Sequence, residues 1–293
     1  MQLSTKIGFS TNIFDNPAQM SHLVAELSNT YKVIEIEFEK EFRDKIDASE
    51  EYWQSQRAEL NELRHKRGLY FSTHAPYIGE ETDISNSDEV IRLCAVDYMK
   101  HYVNKAAEIG AQFITVHPGY LEFGADGVGE FEFTQLARSL ESLSEFGSQC
   151  GVKILLENTG PDREKYIVLS DPQHEDLCQK MGVQLTLDLV HFHAFYSHHS
   201  AEEYLAHLKR ILPNVCNAHF NDVLNGQHAH LPLNKGNFHF DQMLKFMQEE
   251  EYRGNFIIEE SGGGFDPHSF VEAGKTYIEY LNAHSPLSVS SVD

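Results

Sequence analysis

Eight short apolar runs recur along the chain roughly every 30 to 40 residues, the spacing of a strand, crossover and parallel strand. They are KIGFS (6–10), VIEIEF (33–38), LYFST (69–73), FITV (113–116), KILLE (153–157), QLTLD (184–188), VCNAHF (215–220) and FIIEE (256–260). Each is rich in β-branched or aromatic residues, as strands buried on both faces of a parallel sheet must be. Helical periodicity fills the intervals 17–29, 50–66, 131–147, 171–181, 201–212, 240–251 and 267–281, and a further helix capped by Ser87 ends at Ile109 and Gly110. Eight strands alternating with eight helices is the count of one (β/α)₈ TIM barrel, with a doubly wound sheet as the competing α/β arrangement. The barrel is assigned to residues 1–283 and a disordered tail to 284–293, where HSPLSVSSVD loses all periodicity.

Charge and composition narrow the function classes. Lys and Arg number 23 against 45 Asp and Glu, a net charge of −22. That field repels phosphate backbones and disfavours nucleic acid as a partner. No apolar run reaches the roughly 20 residues of a membrane span, and MQLSTKIGFSTN lacks the layout of a signal peptide. Cys94, Cys150, Cys178 and Cys216 lie far apart without a CxxC pair, which fits reduced thiols in the cytoplasm, three of them as small buried hydrophobes.

The strand ends carry the chemistry. In a TIM barrel the active site is built where the strands end. Here strand three runs into His74, four into His117, five into Glu157, six into Asp188 with His191 following, seven into His219 and eight into Glu259. A lone histidine after a strand is ordinarily a hydrogen-bonded loop residue, and a lone carboxylate ordinarily caps the next helix. Three carboxylates ending apolar strands, among histidines at one mouth, would be desolvated and mutually repelling without a cation. Divalent metal is the simplest compensation. His228 and His230 stand two apart after strand seven, so in an extended loop both can face one side, with His191 completing an imidazole pocket.

At these positions the chain resembles the xylose isomerase-like barrel superfamily, which spans sugar isomerases, epimerases and the endonuclease IV family (AP endonuclease family 2). The resemblance covers roughly residues 6–282 and is carried by HAPY (74–77), LENTG (156–160), DLVH (188–191), HFND (219–222), the HAHLPLNKG segment and YRGNFIIE ending at Glu259. It implies a small-molecule substrate, a sugar or a hydroxy or keto acid, and one to three divalent ions, zinc or manganese. The single-metal epimerase pattern places ligands at Glu157, Asp188, His219 and Glu259. Glu157 and Glu259 then exchange a proton beside a polarised carbonyl, and His191 hydrogen-bonds the substrate. The endonuclease IV pattern adds His74 and His117, has Glu157 bridge two metals, and gives His191, His228 and His230 a third. The chain departs from that pattern at His228, where the family has aspartate, and at Lys235, where it has an acidic residue. The full match at His74 and His117 argues against a plain mononuclear epimerase, and the acidic chain argues against DNA repair. A lyase or dehydratase of the same superfamily uses the same ligands, and isomerases of this fold often assemble as homodimers.

Several other residues bear on a substrate. Asn12, Asn158 and Lys235 are candidate substrate-binding residues, and Arg163, Lys165 and Lys235 are the few cations near the mouth. Glycines 262–264 can cradle a phosphate or simply form a loop. Phe9, Trp53, Tyr77, Tyr120 and Phe192 offer faces to a sugar, each also being an ordinary packing residue. Glu35 and Glu37 alternate with Ile34, Ile36 and Phe38, so at least one enters the barrel as part of a polar structural layer.

Overall fold

Strand β2, Val33–Glu37, reads VIEIE, and all five residues are buried. Its isoleucines face the helices and its glutamates face the opposite way, into the space enclosed by the sheet. The same alternation governs β1 (Ile7–Ser10), β3 (Tyr70–His74), β4 (Phe113–Val116), β5 (Lys153–Glu157), β6 (Gln184–Asp188), β7 (Val215–His219) and β8 (Asn255–Ile258). All eight pair in parallel and in sequence order, and β8 returns to β1, so the sheet is a closed barrel without edges. The structure is a computed structural model that describes residues 6–14, 19–121, 129–160, 166–225, 230–238, 240–259 and 264–284.

Around the barrel stand α1 (Met20–Leu27), α2 (Lys40–Ala48), α3 (Glu50–Arg67), α4 (Glu89–Glu108), α5 (Glu130–Cys150), α6 (Asp171–Met181), α7 (Leu189–Tyr196), α8 (Ala201–Ile211), α9 (Phe240–Glu249) and α10 (Pro267–His284). The doubly wound alternative is thereby excluded, while the expected eight helices become ten among the described residues. The two additions are α2 and α7. Asp88 rather than Ser87 caps α4, because its Oδ1 accepts from the N–H of Val90 at 2.8 Å and of Ile91 at 3.3 Å. Helix α3 stops at Gly68, whose φ of 63° suits a residue without Cβ. Helix α10 continues through His284, the first residue assigned to the tail; 285–293 lie outside the described residues.

The barrel interior is polar at mid-height. Thr115 on β4 and Thr186 on β6 share a hydrogen bond of 2.7 Å between strands that are not neighbours, and Glu35 on β2 reaches Asn217 on β7 at 3.0 Å. Below this layer the interior narrows: a Cβ on Gly8 would stand 2.6 Å from Ile257 Cδ1 and 2.7 Å from the Val33 carbonyl, so β1 lies close only as glycine. Apolar side chains fill the space between barrel and helices. Phe9 and Trp53 are fully buried there, Trp53 against Phe38 with ring centroids 6.3 Å apart, so neither serves as a sugar-facing surface. Phe192 is buried too, whereas Tyr77 and Tyr120 reach the mouth half-exposed. Among the cysteines only Cys178 is buried; Cys94 is exposed and Cys150 and Cys216 are half-buried, which corrects the reading of three buried thiols. Among the described residues no helix is long and apolar enough to cross a membrane.

Candidate metal centre

The C-terminal strand ends converge on one buried cluster. Among the described residues three groups of side chains bring donor atoms within 4.8 Å of one another: His74, His117 and Glu157; Asp188, His191 and His230; and Glu157, Asp188, His219 and Glu259. Eight of the nine predicted ligands therefore meet. His228 lies outside the described residues, as do Arg163, Lys165 and glycines 262 and 263.

Each side chain is placed by local structure that its sequence explains. Asp188 ends β6 and simultaneously caps α7, its Oδ1 accepting from the His191 N–H at 2.7 Å. That turn swings His191 back over the strand end. Asn158 clamps the same point, its Oδ1 accepting from the Asp188 N–H at 2.7 Å and its Nδ2 donating to the Asp188 carbonyl at 2.9 Å. Asn221 Oδ1 accepts from the Glu259 N–H at 3.3 Å. Asp222 gathers the loop that carries His230: its carboxylate accepts from the N–H groups of Val223, Gly236 and Phe238, and its backbone bridges Leu231. These positioning roles for Asn221 and Asp222 were not anticipated, although both sit in the HFND motif. His117 is held between rings, stacked on Tyr77 at 4.6 Å and edge-on to Tyr166 at 5.0 Å.

The remaining candidates are placed as follows. Asn12 is buried beside the mouth and donates from Nδ2 to Tyr77 Oη at 3.2 Å. Lys235 is exposed in the turn after β7, where its N–H donates to the Pro232 carbonyl at 3.1 Å. No described contact joins its side chain to the donor groups. Glu35 and Glu37 both enter the barrel, Glu35 meeting His219 Nε2 at 2.8 Å and Glu37 accepting from Ser10 Oγ at 2.7 Å.

The residues fit divalent cations on their own chemistry. Glu157, Asp188 and His219 are fully buried, yet Glu157 Oε1, Asp188 Oδ2 and His219 Nδ1 make no hydrogen bond among the described residues. Such orphaned atoms cost free energy unless something charged meets them. His74 sharpens the point. Its Nδ1 donates to the Ala75 carbonyl at 2.7 Å, so its Nε2 presents a lone pair to Glu157 Oε2 only 3.0 Å away. Two acceptors at that distance need a proton or a cation between them. His191 is oriented in the same way, its Nδ1 donating to the Asn158 carbonyl at 3.0 Å, which leaves the lone pair on Nε2.

Protonation in the metal-free chain reflects the same demand. Burial alone would lower His74, but the hydrogen bond with Glu157 and the charges of Glu37, Glu157 and Glu35 raise it to about 9. His219 is likewise raised well above its ordinary value, against burial, by Glu259, Glu35 and Glu157. Burial pushes Glu157 up, but His219 and His117 hold it well below the usual carboxylate range. Burial pushes Glu37 up to about 8. The cluster thus retains protons on buried histidines that face its carboxylates.

Known proteins resemble this chain in sequence or in fold. An uncharacterised protein of Methanocaldococcus jannaschii is 24% identical over 83% of this chain and 88% of its own length. A probable endonuclease 4 of Mesoplasma florum is 27% identical over 66% of this chain and 68% of its own. The crystal structure of a D-tagatose 3-epimerase-like protein superposes with a TM-score of 0.75 at 21% identity, covering 95% of this chain and 98% of that one, a likeness of fold. The xylose isomerase-like TIM barrel family matches residues 23–280, nearly the whole barrel, and the chain belongs to that family.

Proposed function

We propose that the chain is a divalent-metal-dependent isomerase or epimerase of a small sugar or a hydroxy or keto acid. The observation that carries this reading is the placement of two glutamates. Glu157 Oε1 and Glu259 Oε2 each lie 3.5 Å from His219 Nδ1, and Asp188 completes a four-donor set. A cation held by these four would supply Lewis-acid polarisation of a substrate carbonyl oxygen. Glu157 arrives on β5 and Glu259 just past β8, so a substrate held over the barrel axis would meet a carboxylate from each of two strands. A proton taken from the carbon beside the carbonyl by one glutamate and returned by the other inverts that carbon. His191, over the strand end, accepts a hydrogen bond from a substrate hydroxyl through Nε2, and the rings of Tyr77 and His117 wall the mouth. Proton NMR in D₂O tests the reading on protein loaded with zinc or manganese, using ketohexoses and hydroxypyruvate-like acids. Deuterium should enter beside the carbonyl; no exchange with any member of that panel would sink the proposal.

A separate observation favours a second reading, a multinuclear hydrolase of phosphoric esters. Glu157 and Asp188 each belong to two donor groups, as carboxylates shared between neighbouring cations must. Elemental analysis of the purified chain separates the readings: about three zinc ions per chain supports the hydrolase and one manganese supports the isomerase. Failure to cleave abasic duplex at low salt removes the DNA-directed form of this reading.

A further inference from the structure

Glu35 sits in the middle of β2, fully buried on the barrel interior, 184 residues from the histidine that it meets across the barrel. Its Oε1 lies 2.8 Å from His219 Nε2. Its Oε2 accepts from Asn217 Nδ2 at 3.0 Å and from Ser72 Oγ at 3.1 Å. Donors on β3 and β7 therefore hold the carboxylate plane on both sides, and it cannot turn away from the imidazole. Ser72, Asn217 and His219 are as buried as Glu35, so no solvent competes for these bonds. On the far side of the ring, Nδ1 faces Glu157 Oε1 and Glu259 Oε2, each at 3.5 Å.

An imidazole coordinates through a nitrogen that carries no proton. Of the two His219 nitrogens only Nδ1 reaches the donor group, so the proton has to reside on Nε2. Asn217 Nδ2 also approaches Nε2, at 3.2 Å, after giving one of its two hydrogens to Glu35 at 3.0 Å. A carboxylate fixed at 2.8 Å is the stronger determinant, because it accepts and never donates while ionised.

We propose that Glu35 is a positioning residue for the metal centre: it takes the Nε2 hydrogen of His219 and so fixes the tautomer and ring angle that aim Nδ1 at Glu157, Asp188 and Glu259. This rests on the reading that those residues hold a divalent cation, and on neither of the two reactions. A carboxylate behind a ligating histidine typically changes metal affinity about 10- to 100-fold.

Zinc alone is the probe. Competition against a chromophoric chelator measures its affinity for the wild-type chain, Glu35→Gln and Ser72→Ala. Glu35→Gln keeps the size and replaces the charged acceptor with a neutral one, and should weaken zinc binding by about 10-fold or more. Ser72→Ala leaves the bond from Glu35 to His219 in place and should stay within about threefold of wild type. Nitrogen-15 NMR of the zinc-loaded wild type, with the resonance identified by its loss in His219→Asn, should show the His219 proton on Nε2. A proton on Nδ1, or a folded Glu35→Gln chain that binds zinc as tightly as wild type, overturns the proposal. If Glu35→Gln does not fold, the wild-type spectrum decides alone. A wild-type chain that takes up no zinc overturns both the proposal and the metal reading; zinc uptake without isomerase or esterase activity leaves this proposal standing and removes the two reactions.

Discussion

His74 Nε2 and Glu157 Oε2 stand 3.0 Å apart inside the barrel, and the Ala75 carbonyl holds the only proton that a neutral His74 would carry on the opposite nitrogen. The pair is therefore complete only with a second proton or a cation. In the metal-free chain the proton fills this role, raising His74 to about 9 against burial, while an unfolded histidine titrates near 6.5. The stabilisation is fully present below about pH 6.5 and is lost as pH rises through about 9. Glu37 acts in the same direction, since ionising a carboxyl that burial has pushed up to about 8 costs stability as pH climbs past 4.5. On the acid side Glu35 and Glu157, both held below the ordinary range, lose their contribution as pH falls below about 4.5. The thermal midpoint of chelator-treated protein should thus fall between pH 6.5 and 9, and zinc loading should flatten that limb. Equal slopes with and without metal would count against the assignment.

Glu157 and Glu259 differ in how many donor groups they serve. Glu157 belongs to the His74–His117 group and to the His219 group, whereas Glu259 belongs only to the latter. Glu157→Gln should accordingly lower zinc stoichiometry at both positions, and Glu259→Gln at one. Elemental analysis after gel filtration measures this directly. Equal losses in the two variants would mean that Glu157 is not shared.

The strands were legible because each buries both faces and so reads as an unbroken apolar run; FITV, KILLE and QLTLD coincide with β4, β5 and β6. Two helices were not. Helix α2, KEFRDKIDA, is dominated by charge, and its burial rests on little more than Phe42 and Ile46. Helix α7, LVHFHAFY, begins at Leu189, directly after the Asp188 that ends β6, so no loop separates the two periodicities. The candidate ligands were legible for a related reason, since an ionisable group ending an apolar strand violates the pattern around it. Glu35 violates the pattern equally, but its partner lies across the barrel. Only closure of the sheet, which brings β2 opposite β7, shows what it touches.

Asn158 was expected among substrate-binding residues, and its side chain closes a pair of hydrogen bonds on the backbone of Asp188, at 2.7 and 2.9 Å. Asn158→Ala leaves that N–H and carbonyl without these partners, at a cost of about 1–3 kcal/mol. Asp188 is also the cap of α7, so its backbone and the His191 ring should loosen together. Chemical denaturation should report the stability loss, with a parallel drop in zinc affinity. Unchanged stability with a raised KM alone would return Asn158 to a substrate-contact role.

Gly160 packs closely against the ring of His191. A Cβ built there would lie 3.1 Å from His191 Cδ2 and 3.3 Å from Cγ, closer than ordinary packing permits, while its φ lies outside the left-handed region. Gly160→Ala therefore strains little backbone, and the His191 ring has to yield by a few tenths of an ångström. His191 belongs to the group with Asp188 and His230 and is absent from the other two. The variant should fold with a stability change on the order of 1 kcal/mol or less, and should lose zinc at the His191 position while the set of Glu157, Asp188, His219 and Glu259 stays loaded. Stepwise zinc titration resolves this: the weakest step should weaken further with the tightest step unchanged. A uniform loss across all steps would mean that the groups behave as one indivisible centre, and that Gly160 acts on the whole of it through Asp188.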